Sequence, residues 1–263
     1  MKLSVLIENT ACDASLTAEH GLCLLIETGG KRFLLDTGAT GAFAENARKL
    51  GVDLTQVDAA ILSHGHYDHG GGLDHFMRLN KKALVYVSSY AFEPHYNGAG
   101  KFIGVKPVGL DHSRIRFTEG ALEIGEGITL CSGHRRMPVV PADPFGQTVL
   151  EDGEFRPDDY RHEQYLLIRE NGKTVCFSGC SHGGILNIVC WFQPDVLIGG
   201  FHFMKIPVTG AGEKQLHDSA MALLKGKTRY YTGHCTGDAQ YEKLKKVMGD
   251  RLQKLSSGVE IVI

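Results

Sequence analysis

Residues Ala59, Ala60, Ile61 and Leu62 form an uninterrupted apolar run that empties into Ser63-His64-Gly65-His66-Tyr67-Asp68-His69-Gly70-Gly71-Gly72-Leu73. A run of this kind reads as a strand buried on both faces, which belongs in a sheet covered by helices. The turn after it must present its side chains at a sheet edge. Four metal-competent residues fall there within six positions: His64, His66, Asp68 and His69. Alternation along an extended loop puts His64 and His66 on one side, while Asp68 and His69 can turn to a second point, a spacing for two metals. A lone loop histidine is usually a solvated polar side chain, but four donors between an apolar strand and a triple glycine point to ligation. Imidazole and carboxylate donors suit zinc, iron or manganese alike. The glycines permit backbone conformations and close approaches that side chains would resist.

The rest of the chain supplies the sheet that such an edge requires. Leu3–Glu8, Cys23–Thr28 and Arg32–Asp36 are aliphatic strands, the last two turned by Gly29-Gly30-Lys31 into a hairpin. Helical spacing covers Gly41–Leu50, closed by Gly51, and Leu73–Leu79; Ala83–Ser88, Arg114–Thr118 and Gly127–Cys131 read as strands. A second hairpin is expected from Gln164–Arg169 and Thr174–Ser178 around Asn171-Gly172. Strand and helix then alternate: helix Gly184–Phe192, strand Asp195–Ile198, helix near Lys214–Leu224, strand Thr228–Thr232, helix Ala239–Val247 and strand Val259–Ile263. Two stretches lack a pattern, Ser89–Lys106 and Gly133–Arg161, and are expected to be loop insertions that cover a site and choose its substrate. No repeat or linker interrupts the chain, so 1–263 is expected to be one domain of mixed α/β class.

Composition narrows the function. The 28 lysines and arginines against 30 aspartates and glutamates leave 28 − 30 = −2, no field for holding a nucleic-acid backbone. Seven scattered cysteines, an odd number, read as reduced thiols of a cytoplasmic protein. The apolar start is too short for a signal peptide, and no stretch approaches the roughly 18 apolar residues of a membrane span. No P-loop, no Gly-x-Gly-x-x-Gly strand–helix turn and no Gly-x-Ser-x-Gly elbow is present. A small-molecule substrate is therefore expected, with no nucleic acid and no membrane.

The His-x-His-x-Asp-His run, Asp36-Thr37-Gly38 after an early strand and later histidines at strand ends resemble the metallo-β-lactamase fold superfamily. More narrowly, five segments are similar to a branch of metal-dependent hydrolases that includes the dihydropterin ribofuranosyl-aminobenzene phosphate synthases. They are Ile7-Glu8-Asn9, Ala18-Glu19-His20-Gly21-Leu22, Ser178-Gly179-Cys180-Ser181-His182, Gly199-Gly200-Phe201-His202 and Gly233-His234-Cys235-Thr236-Gly237. The resemblance implies an αββα sandwich, two mixed sheets flanked by helices, with two divalent metals, zinc ahead of iron or manganese. It assigns one metal to His64, His66 and a third histidine, the other to Asp68, His69 and His234. Family members carry Gly-Asp where this chain has Gly179-Cys180, so Cys180 stands in the place of the bridging aspartate; its thiolate would favour zinc. His182 is preferred as third histidine over His134 or His162, because it shares a tight loop with Cys180. Asp36 either orients a ligand histidine or caps the next helix, and Glu19-His20 reads as an exposed loop pair.

The implied activity is hydrolysis of an ester, phosphoester or related small molecule by metal-bound hydroxide, with Asp68 taking a proton as well as binding metal. Tyr67 and His202 would face the substrate, and Arg135, Arg136 or Lys101 could meet an anionic group. Two alternatives accompany it: a phosphoribosyl-transferring synthase of a pterin pathway, and an iron-containing redox or binding protein.

Overall fold

The strands Cys23–Thr28 and Lys31–Leu35 pair antiparallel through Gly29 and Gly30, whose φ of 54° and 72° give the two-residue turn the left-handed backbone it needs. The computed structural model describes residues Met1–Ile263, and the chain divides into two compact units. The first comprises Met1–Glu119, Gly146–Asp158 and Ser256–Ile263. Its seven-stranded sheet runs Glu260–Val262, Lys2–Ile7, Cys23–Thr28, Lys31–Leu35, Ala59–Ile61, Leu84–Ser88 and Ile115–Thr118. The first three pairings are antiparallel and the last three parallel. Helices α1 (Ala42–Lys49), α2 (Tyr67–Gly70) and α3 (Leu73–Leu79) lie between strands in the chain. Leu25, Leu34, Ala60 and Val85 form one core with Phe43 of α1 and Phe76 of α3. The alternate residues Leu24, Ile26, Leu35 and Ile61 are buried too, which is why these strands read as continuous apolar runs.

The expectation that Gly133–Arg161 is irregular is corrected in its second half. Thr148–Glu151 and Glu154–Pro157 form a hairpin, and Thr148 and Val149 pair with Tyr96 and His95 in a three-stranded sheet. The turn is Asp152-Gly153, at φ 51° and 82°. The Asp-Gly pair is itself the sequence signal for such a turn, here obscured by weak apolar alternation around it. Ser89–Lys106 thus also contributes a strand, His95–Tyr96.

The second unit comprises Gly120–Phe145 and Asp159–Leu255. Its seven-stranded sheet runs Leu252–Lys254, Arg229–Thr232, Val196–Ile198, Lys173–Phe177, Gln164–Glu170, Ile128–Ser132 and Ala121–Gly125. The first four strands are parallel and the remaining pairings antiparallel. Its core joins Leu167, Cys176, Leu197 and Tyr230 to residues of α4 (Ile185–Phe192), α5 (Gly210–Leu223) and α6 (Asp238–Met248). Both units are mixed sheets with helices, the α/β class expected. No helix is long and apolar enough to cross a membrane.

Candidate active site

Parallel strands deliver the loops at their C-terminal ends to one edge of a sheet. In the first unit this brings Asp36, which follows Lys31–Leu35, beside Ser63, which follows Ala59–Ile61. The Asp36 carboxylate is 1% exposed. It accepts hydrogen bonds from Ser63 N and Ser63 Oγ, both at 2.7 Å, and pairs with His69 Nδ1 at 2.7 Å. Ser63 Oγ lies 2.9 Å from His64 Nδ1. A carboxylate only accepts, so the His69 proton sits on Nδ1; Ser63 gives its one proton to Asp36, so His64 must donate from Nδ1 as well. Both imidazoles are thereby set to offer Nε2 to a metal. Asp36 does not cap α1, which starts after Gly41 without a side-chain cap.

The His64 ring centroid is 4.7 Å from that of His66 and 4.1 Å from that of His69. Asp68 Oδ2 lies 3.8 Å from His69 Nε2 and 3.4 Å from His20 Nε2. His20 therefore reaches the candidate ligands, although its side chain is half exposed. Glu19 instead clamps the following loop, accepting from Ala39 N, Thr40 N and Thr40 Oγ1. The triple glycine is explained by close approach: a Cβ on Gly71 would stand 2.1 Å from the Ala39 carbonyl oxygen. Two further residues join this region without any sequence signal. His95 pairs with Asp158 at 2.8 Å, and these two with His66 bring one ligand atom each within 4.8 Å of one another. Tyr67 is 38% exposed on a groove of about 440 Å³ shared with Lys101, Phe102 and Lys106. Burial, then Asp68 and Glu19, push its phenol pKa up, which keeps it a hydrogen-bond donor.

In the second unit three loops after parallel strands carry the remaining candidates. Ligand atoms of Cys180, His182 and His202 lie within 4.8 Å of one another, as do those of Cys180, His234 and Cys235. Ser181, His202 and His234 hold left-handed backbone at φ 58°, 56° and 48°. Non-glycine residues there cost roughly 1–3 kcal/mol each and concentrate at functional sites. His182 stacks on Tyr160 with centroids 4.5 Å apart, and its ring lies 4.2 Å from His202. Its turn is held by the buried Glu163 carboxylate, which accepts from His182 N at 2.7 Å, Gly183 N at 2.8 Å and Tyr165 OH at 2.5 Å. Burial pushes the Glu163 pKa up against the pull of those three donors. Of the alternatives, His134 bonds Ser132 Oγ at 2.6 Å, and the His162 ring is 6.4 Å from that of His182.

Cys235 was not singled out from sequence. Its place beside His234 after a parallel strand is the signal that could have found it. Burial disfavours its thiolate, but the polar groups around it, Cys180 first, outweigh burial and hold the thiol well below its ordinary range. Of the basic residues proposed for anions, Arg136 lies over the Phe192 ring at 4.7 Å. The donors fit a divalent metal: imidazoles with fixed tautomers in one unit, imidazole and thiol donors in the other, all buried.

A pair of sheet-edge sites built this way, on mixed sheets, defines a metallo-β-lactamase-type protein. The family model for the metallo-β-lactamase superfamily matches residues 16–150, and the chain belongs to that superfamily. It is 28% identical over 292 aligned residues to 7,8-dihydropterin-6-methyl-4-(beta-D-ribofuranosyl)-aminobenzene-5'-phosphate synthase of Methanocaldococcus jannaschii, spanning 98% of this chain and 95% of that protein. It is 26% identical over 256 residues to the uncharacterized protein MJ0448 of the same organism, spanning 93% and 94%. Among solved structures it is similar to Tm1679, a metal-dependent hydrolase of the β-lactamase superfamily, with a TM-score of 0.83, 27% identity and coverage of 100% and 99%.

Proposed function

We propose that this chain is a hydrolase dependent on two divalent metal ions, zinc first, that cleaves an ester, phosphoester or related small molecule. His64, His66, Asp68, His69, Cys180, His182 and His234 are its metal ligands in this reading. The observation that carries it is the Asp36–Ser63 relay, which sets both His64 and His69 to the tautomer that a metal requires. When bound, the ions would polarise the reacting oxygen and lower the pKa of water. Asp68 Oδ2 takes up the proton released by the attacking water, Tyr67 donates to the substrate, and Lys101 and Lys106 face an anionic group in their groove. No covalent intermediate with the protein is needed. A chain with seven cysteines read as reduced thiols belongs in the cytosol.

The test is metal analysis of protein purified without added metal, followed by assay on ester and phosphoester panels. Two equivalents of zinc and hydrolysis abolished by Asp68→Ala support the reading; hydrolysis unchanged after complete metal removal overturns it. The near full-length similarity to a synthase supports a second reading, a phosphoribosyl-transferring synthase. Release of pyrophosphate from phosphoribosyl pyrophosphate, with every ester untouched, would favour that one.

A further inference from the structure

His95 and Asp158 stand outside the proposed ligand set, yet they repeat the device that orients it. His95 Nδ1 pairs with Asp158 Oδ2 at 2.8 Å, against 2.7 Å for His69 Nδ1 and Asp36 Oδ2. The His95 and Asp158 side chains are each 1% exposed. A carboxylate only accepts, so the His95 proton sits on Nδ1 and Nε2 carries the lone pair. A buried charged pair adds little net stability and is often replaced by packed apolar side chains without loss, so packing alone does not call for one here.

Nε2 lies against the loop of His64 and His66. A Cβ on Gly65, the residue between them, would stand 3.1 Å from His95 Nε2 and 2.3 Å from the Ala91 carbonyl oxygen, so glycine is what lets residues 91–95 close on that loop. The rings of His66 and His95 meet edge-on with centroids 5.6 Å apart, and ligand atoms of His66, His95 and Asp158 lie within 4.8 Å of one another. Two imidazoles sharing one tetrahedral zinc at about 2.0 Å hold their centroids about 5 Å apart, close to this spacing. The backbone fixes the arrangement from two sides. Val149 pairs with His95 and Leu150 N donates to Pro94 O at 2.9 Å, while Ile103 N donates to His95 O at 2.8 Å and Val105 N to Gly65 O at 2.9 Å. Support of this kind is what holds a ligand within about 0.5 Å of its working position.

We propose that His95 is a further ligand, through Nε2, of the ion held by His64 and His66, and that Asp158 is the positioning residue that sets its tautomer. The assignment rests on the metal-dependent reading of the site. It gives the small sheet of His95–Tyr96, Thr148–Glu151 and Glu154–Pro157 a task besides covering a groove: it is part of the ligand scaffold.

The test uses the full chain with 15N-labelled histidine, stripped of metal by a chelator and titrated with zinc. The His95 Nε2 signal, identified by its absence from His95→Gln, is expected to leave the pyridine-type position together with that of His66, while Nδ1 stays protonated. Asp158→Asn should weaken zinc by roughly 10- to 100-fold in competition with a chromophoric chelator, and His95→Gln by at least as much. A pair that only pinned the hairpin would move neither reading. Should the variants not fold, zinc-edge anomalous scattering from crystals of the wild type decides: an ion about 2.0–2.1 Å from His95 Nε2 supports the assignment, and one beyond about 3 Å overturns it. It is equally overturned by a His95 signal that stays put while His66 shifts, or by wild-type zinc affinity in both folded variants. If such a protein still cleaves an ester, the hydrolase reading stands without His95. Zinc on His95 with every ester and phosphoester untouched overturns the hydrolase reading and leaves the ligand assignment in place; no zinc bound at all overturns both.

Discussion

Replacing Asp36 by Asn tests the tautomer relay with almost no change of shape. Asn tolerates the left-handed backbone at φ 61° as Asp does. The backbone N–H of Ser63 donates to Oδ1 at 2.7 Å and has no alternative role, so it pins the amide oxygen to that position. The amide nitrogen must then occupy the place of Oδ2, where it faces Ser63 Oγ and His69 Nδ1. Ser63 Oγ has two lone pairs and can still accept from His64, so the conflict falls on His69. Its Nδ1 must become an acceptor, which moves the proton to Nε2 and closes that nitrogen to a metal. The escape is to flip the amide, at the cost of an unsatisfied buried N–H on Ser63, about 1–3 kcal/mol. The smaller of the two penalties sets the loss, so if His69 is a ligand as proposed, divalent-ion affinity should weaken by roughly 10- to 100-fold, as for other partners of metal-bound histidines. Competition with a chromophoric chelator measures this directly, and 15N chemical shifts of the imidazoles report the tautomer. Wild-type zinc affinity in D36N, or a proton still on His69 Nδ1 with Ser63 N–H bonded, would refute the relay.

Three further outcomes follow from the same geometry. Gly199→Ala would place Cβ 1.5 Å from the Ser178 carbonyl oxygen at φ 142°; a loss above about 3 kcal/mol, near 10 °C in Tm, is expected, and a wild-type melting curve would contradict it. Burial pushes the Cys23 and Cys176 thiols up, and only Cys12 and Cys190 are exposed, so an aromatic disulfide reagent should label two thiols quickly and seven after denaturation; five or more fast thiols would show the buried set to be accessible. Burial raises the Glu163 pKa, so its contribution to stability is complete below the unfolded value of about 4.3 and is lost as pH rises through the folded value. The Tm difference of metal-free Glu163→Gln minus wild type should therefore grow more positive from about pH 4 to about pH 8, and a constant difference would refute it.

What was legible in the sequence is local. Ala59–Leu62 announced its strand because it is apolar on both faces, and the donors after it needed only a loop at the strand's end. The same logic located Cys180, His182, His202 and His234, each within a few residues of a parallel strand's C-terminus. Five strands were missed for physical reasons: His95–Tyr96, Ala121–Gly125, Thr148–Glu151, Glu154–Pro157 and Leu252–Lys254. Ala121–Gly125 and Glu154–Pro157 bury no residue and so show no alternation, His95–Tyr96 and Leu252–Lys254 have two and three residues, and Thr148–Glu151 follows a stretch whose prolines suggest only irregular chain. His95 and Asp158 were illegible because their meeting depends on the pairing of Val149 with His95, a contact between segments over fifty positions apart. No periodicity in either segment encodes it.

The left-handed residues carry the argument one step further. Nine non-glycine residues have positive φ, and Asp36, Ser181, His202 and His234 are among them, all in loops at strand ends that bear candidate ligands or hold them. Phe145, whose ring packs edge-on against His202, and Tyr160, which stacks on His182, are two more. Glycine would relieve each of these positions at no steric cost, yet at none of them does the chain use it. Side-chain partners hold some of these positions: Asp36 bonds Ser63 and His69, and Ser181 Oγ lies 2.9 Å from Ser178 Oγ. Backbone strain thus concentrates in the loops that carry the proposed ligands, as expected where side-chain direction matters.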